Sequence, residues 1–275
     1  MVAYARGVDF FAPAHAALAS LQGEAGAYVS DTEGQPIFCE NEDELFPSAS
    51  VIKLPLVMTL YADAAKGLLD LDESLEVGGR VDGSGVLRHM QDIKRLSLRD
   101  LAMLAIIVSD NTATNRLIER VGLERVGERL REWGCAKTQL SRKMYDFEAA
   151  KRGHENVMTA RETVSLLLRL HRGECVDRAT SDAVLAVLEQ CQDRTMLLRY
   201  LPYTVKVPHK TGTLDESRND VGIVPGDRPM IVAAFTRKLR DTGAASSWLG
   251  MLGWCAYRAA GNPGDPLPPE LTRTA

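Results

Sequence analysis

At 275 residues, 45% hydrophobic and 25% charged, the chain carries enough apolar material for one large core or two smaller ones, which excludes disorder as its dominant state. Its 33 basic and 37 acidic residues sum to a net charge of -4 with the signs interspersed, so the sequence offers no basic face for nucleic acid or an anionic membrane. No apolar run approaches the length of a membrane span.

Helical spacing begins at residues 13–21, followed by a predicted hairpin with strands at 26–30 and 35–39 around a turn at 31–34. From 50 to 67 a broad apolar stripe (Val51, Ile52, Leu54, Leu56, Val57, Leu60, Ala64) fits a helix buried on most sides. Pro55 requires that helix to begin close to Ser50, because only the first turn tolerates a missing N–H. Ser97 with Asp100 resembles a capping box opening an apolar helix through Val108. Polar residues 109–112 interrupt it, and a second helix runs to Val121 and stops at Gly122.

Residues 141–158 lack periodicity, a loop length that tends to serve function. Helices are expected at 160–170 and 177–189, strands at 203–210, 220–224 and 230–237, and a last helix at 246–259. The proline-rich end, 261–275, is expected to fray. These elements predict an α/β fold: an antiparallel sheet of about five strands, built from residues 1–48 and 200–260 and flanked by helices. A helical lobe over 49–199 completes it, and the cleft between the lobes is the default site.

The five cysteines, Cys39, Cys135, Cys175, Cys191 and Cys255, are odd in number and scattered, and the five histidines form no metal-binding pair. Reduced thiols are expected, and neither a metal nor a cofactor. From Met1 no basic segment leads into an apolar one, so a cytoplasmic location is expected, or a periplasmic or secreted one if a leader has been removed.

Ser50-Val-Ile-Lys53 sets a hydroxyl and an amine on one face of a helix start, about 5–6 Å apart at Cβ. Burial and a neighbouring cation could keep such a lysine neutral enough to take the serine proton. Ser109-Asp-Asn111 reads by itself as a helix corner with a capping residue. Lys210-Thr-Gly-Thr213 ends a β-run, where glycine leaves room for a ligand and the next N–H can face an oxyanion. Gly83, Ser84 and Gly85 form no G-x-S-x-G nucleophile elbow and read as a flexible rim.

Together the three segments resemble the S-x-x-K, S-D-N and K-T-G set of class A β-lactamases and penicillin-binding proteins. They stand in that family's order and cover nearly the whole chain. The resemblance implies Ser50 as the acylated nucleophile, Lys53 as its base, Ser109 as the relay to the leaving nitrogen and Asn111 as a holder of the substrate side chain. Lys210 and Thr211 would receive the substrate carboxylate beside Gly212, and the N–H groups of Ser50 and Thr213 would form the oxyanion hole.

The sequence departs from the family in two places. No E-x-x-L-N occurs in 141–158, where efficient relatives hold the water that releases the acyl group, leaving Asp146 or Glu148 as candidate bases and Glu155 as a weaker one. Val221 stands where many relatives position an arginine, for which Arg218 or Arg237 would have to substitute. The expectation is a monomeric serine hydrolase acting on a small β-lactam or related amide or ester. Alternatives on the same fold are a D-alanyl peptidase, a small-ester hydrolase or a slow-turnover penicillin-binding protein.

Overall fold

A computed structural model describes residues 9–264. Residues 1–8 and 265–275, which include most of the tail expected to fray, lie outside the described residues. Helix α1 (Ala12–Ala19) leads into the hairpin β1 (Glu24–Ser30) and β2 (Pro36–Glu40). After the short β3 (Phe46–Pro47) a 3-10 turn, Ala49–Ile52, runs directly into α2 (Lys53–Ala65). A ribbon of β4 (Ser74–Glu76) and β5 (Arg95–Ser97) precedes α3 (Leu98–Ile107), α4 (Asn111–Val121) and α5 (Leu123–Glu132). The long loop holds a single turn of helix, α6 (Phe147–Lys151), and ends in β6 (Val157–Met158), which pairs with β3. Then come α7 (Ala160–Arg172), α8 (Arg178–Leu188), β7 (His209–Leu214), β8 (Ser217–Val224), β9 (Met230–Arg237) and α9 (Thr242–Ala259).

Five strands form one antiparallel sheet in the order β2-β1-β9-β8-β7, the α/β architecture expected, with its strands drawn from both ends of the chain. The central strand β9 is apolar on both faces because both faces are covered. Met230, Val232 and Ala234 point into one core with Trp248, Leu249 and Leu252 of α9 and Phe11 beside α1. Ile231, Ala233 and Phe235 alternate into the other, with α2 and α7. Gly26 on β1 leaves the space that Phe46 fills, since a Cβ there would lie 2.3 Å from that ring.

The strand expected over 203–210 begins only at His209 and runs on to Leu214. Pro202 and Pro208 offer no N–H to a ladder. The carbonyls of Pro202 and Val205 accept instead from the Arg194 guanidinium at 3.1 and 3.2 Å. Helix α5 was not expected, because Gly122 reads as a stop. It ends α4 and opens α5 at one residue, with φ +90°.

Helix α2 is the buried axis of the helical lobe, and every residue from Lys53 to Asp63 is buried. A buried carboxylate needs partners, and Asp63 has two from α5. Arg125 Nε and Nη2 each donate to it at 2.8 Å, and Arg129 donates through Nε at 3.1 Å and also through Nη2. Burial raises the Asp63 pKa, but the two guanidiniums outweigh it and hold the carboxyl below its usual range. Asp63→Ala would leave the buried Arg129 short of its partner and is expected to cost about 3–5 kcal/mol in urea unfolding. Asp72→Ala, which removes an exposed partner of Arg99, should cost less than about 1 kcal/mol. Equal losses in the two variants would contradict this account of the lobe.

Candidate active site

The 3-10 turn carrying Ser50 is anchored on both sides. Ser48 donates both its N–H and its hydroxyl to the carbonyl of Asn156 at 2.9 Å. On the other side β7 packs flush against the turn. A Cβ on Gly212 would lie 2.8 Å from the Ser48 carbonyl and 3.0 Å from the Ala49 Cβ, so the K-T-G glycine is what lets strand and turn meet. Ala49 itself is held at φ +47°. Ser50 is half-buried, and its hydroxyl makes no hydrogen bond among the described residues.

One turn further, Lys53 is fully buried, and its Nζ reaches the Ser109 carbonyl at 2.7 Å, the Ser109 hydroxyl at 3.1 Å and Asn111 Oδ1 at 2.9 Å. Burial above all, and then the neighbouring Lys210 ammonium, hold the Lys53 pKa well below the usual lysine value, with Asp110 opposing. As a neutral amine it donates to two of these oxygens and keeps a lone pair for a hydroxyl proton.

Ser109 interrupts the helix with φ +55°, a conformation a non-glycine residue adopts at a cost. This turn points its carbonyl at Lys53 and sets its hydroxyl between the two lysines, with Lys210 Nζ at 3.2 Å. Lys210 is also fully buried, donates to the Thr211 carbonyl at 2.8 Å, and has its pKa lowered by burial against the pull of Cys191, Asp220 and Asp193. Asp110 is the structural member of S-D-N. Oδ1 caps α4 through the Ala113 N–H at 2.9 Å, and Oδ2 accepts from Val86 and Leu87 N–H at 2.7 and 2.8 Å. Asn111 donates its N–H to the Ser84 carbonyl and its side-chain amide to the Asp82 carbonyl. The rim expected to be flexible is thereby pinned to the interhelical turn, and both ends of the Asn111 amide are engaged within the protein.

Two cavities meet at Ser50, Ser84 and Thr213. The smaller, about 310 Å³, is lined by Ser109, Lys210, Thr211, Cys191 and Asp193. The larger, about 600 Å³, is bounded by Asn111, Met144, Tyr145, Glu155, Asn156 and Arg237. Of the arginines considered as substitutes, Arg237 lines the larger cavity but is bound to Glu24, Glu44 and the Leu45 carbonyl. Arg218 donates to the carbonyls of Leu214 and Ser217. Val221 pairs with Lys210 across the two strands.

Neither acid first expected to activate water lines either of these two cavities. Asp146 caps α6, its Oδ1 accepting from the Ala149 N–H at 2.9 Å. Glu148 pairs at 2.8 Å with Lys151, and both side chains are largely exposed. Glu155 does line the larger cavity, in an ion pair with Arg142 at 3.0 Å. The loop also lends Met144 to the wall, its backbone clamped at both ends by the Asn115 side chain: N–H to Oδ1 at 2.7 Å, and carbonyl from Nδ2 at 3.0 Å. Sequence reasoning placed Ser84 on the rim but missed Asn115 and Met144. Asn115 left one signal, a polar side chain one helical turn beyond Asn111 on a helix whose residues from Asn111 to Asn115 are all buried.

A family model described as "Beta-lactamase enzyme family" matches residues 13–260. Beta-lactamase L2 of Stenotrophomonas maltophilia is 28% identical over 225 residues, spanning 78% of this chain and 74% of that protein. The extended-spectrum β-lactamase PER-1 of Pseudomonas aeruginosa is 26% identical over 213 residues, 72% of this chain and 69% of its own. Among solved structures, a β-lactamase from Sphaerobacter thermophilus DSM 20745 matches with a TM-score of 0.85 at 32% identity, covering 94% of this chain and all of that one. With three motifs converging on one cleft and a family model spanning nearly every described residue, the chain belongs to the β-lactamase enzyme family.

Proposed function

We propose that this protein hydrolyses β-lactams through an acyl-enzyme on Ser50, forming that intermediate faster than it releases it. The observation that carries the first half is the buried chain Lys53, Ser109 and Lys210 beside a serine hydroxyl that is open to the cleft. Ser50 Oγ attacks the lactam carbonyl and gives its proton to neutral Lys53, one helical turn away. The developing oxyanion is met by the backbone N–H groups of Ser50 and Thr213, both at the junction of the cavities. Ser109, in contact with both amines, passes the proton to the ring nitrogen as the C–N bond breaks. Lys210 and Thr211 receive the substrate carboxylate in the smaller cavity.

The second half rests on the loop wall. Hydrolysis of the ester needs a base positioned on a water. Met144, which lines that wall, carries no carboxylate, and Glu155 is committed to Arg142. Rapid mixing with a chromogenic cephalosporin is therefore expected to give a burst of about one equivalent of opened lactam per protein, followed by a slower steady rate. Progress that is linear from the first turnover would contradict slow release, and no lactam opening at all would contradict the function.

A further inference from the structure

Behind the lysine end of the cleft stands a second constellation that lactam opening does not use. Cys191, just past α8, lines the smaller cavity with Ser109 and Lys210. His209 directly precedes Lys210 on β7 and is 1% exposed. Its Nδ1 lies 3.0 Å from Oδ1 of the wholly buried Asp220, on the neighbouring strand β8. The other Asp220 oxygen accepts from the Leu197 N–H at 3.0 Å, which fixes the carboxylate and through it the ring. Nε2 is buried with no hydrogen-bond partner among the described residues, and the Cys191 thiol is close enough to the ring for the two groups to act on each other's protonation. Thiol, imidazole and carboxylate thus follow one another as in a cysteine nucleophile with its base and orienting acid.

We propose that Cys191 is a modification site for small disulfides and thiosulfonates, and that its modification closes the pocket where Lys210 receives a substrate carboxylate. The Cys191 sulfur attacks the reagent sulfur, a new S–S bond forms, and the old bond breaks with its electron pair leaving on the departing thiolate or sulfinate. The thiol proton stays on His209.

The surroundings agree. Burial pushes the Cys191 thiol up, but the closeness and charge of His209, joined by Lys210, outweigh it against Asp220 and bring it below the ordinary value. His209 is shifted the other way, since Asp220 and Cys191 overcome its burial. Asp193 is the remaining charged group lining this cavity beside Lys210. Burial pushes the thiols of Cys135 and Cys255 up to about 12 and that of Cys175 up to about 11, leaving exposed Cys39, also raised, as the competing site.

The test uses methyl methanethiosulfonate on the full-length Cys39→Ser protein, with peptide mapping of the methylthio group and the labelling rate followed from pH 6 to 8. An ordinary thiol gains roughly 75-fold in thiolate over that range. Labelling of Cys191 that climbs distinctly less steeply than that is expected. A rate that climbs like an ordinary thiol, or no label on Cys191, overturns the proposal, and neither result depends on Ser50 chemistry. The pocket-closing clause does rest on the lactam reading. Labelled protein should lose fluorescent-penicillin acylation at least tenfold and regain it with dithiothreitol, while Cys191→Ala should be indifferent to the reagent. Acylation that survives labelling refutes the closing clause, whereas failure of the unlabelled protein to acylate would refute the lactam reading instead.

Discussion

Lys53→Ala is expected to slow acylation of Ser50 by a penicillin about 10³-fold, within the usual range for loss of a positioned general base. Such a factor is roughly 4 kcal/mol in the barrier. The base is competent only when neutral, so the acylation rate of the unaltered protein should rise with pH as Lys53 loses its proton and flatten well below the ordinary lysine value of 10.5. Lys210 supplies part of that depression, after burial. Lys210→Met removes a cation that disfavours protonated Lys53, so the Lys53 pKa should rise and the ascending limb should move to higher pH. Stopped-flow acylation across pH 5–10 reads both effects. A limb that stays in place or moves down in Lys210→Met would show that the two amines are not coupled.

Met144→Glu is expected to act on the other half of the cycle, raising deacylation by about 10²-fold or more while leaving the burst rate within a few-fold. The clamp by Asn115 acts on the Met144 backbone, so the exchange leaves it in place and sets a carboxylate in the wall that Ser50 shares. Steady-state turnover compared with the decay of the isolated acyl-enzyme separates the two steps. Unchanged decay in a folded Met144→Glu protein, together with slowed decay in Glu155→Gln, would assign the water-activating role to Glu155.

What could be read from the residue order alone was chemistry confined to short segments. Ser50 and Lys53 lie on one helical turn, Ser109 and Asn111 flank one corner, and Lys210 to Thr213 fill one strand. The alternation of β9 and the capping pair Ser97 and Asp100, closed at 3.1 Å, were equally local. Groups whose role depends on long-range closure were not visible. Met144 matters because Asn115, 29 residues earlier, holds it. Cys191 meets His209 and Asp220 only once α8, β7 and β8 are assembled. Asp146 and Glu148 were chosen for carrying carboxylates in the expected loop, but cap geometry and solvent exposure fixed where those carboxylates went.

The most direct measurement is acid-quenched mass spectrometry of the protein mixed with benzylpenicillin, followed by peptide mapping. The account predicts one penicilloyl group, on the peptide containing Ser50, absent in Ser50→Ala. A penicilloyl group on any other residue, or one that persists in Ser50→Ala, would contradict it.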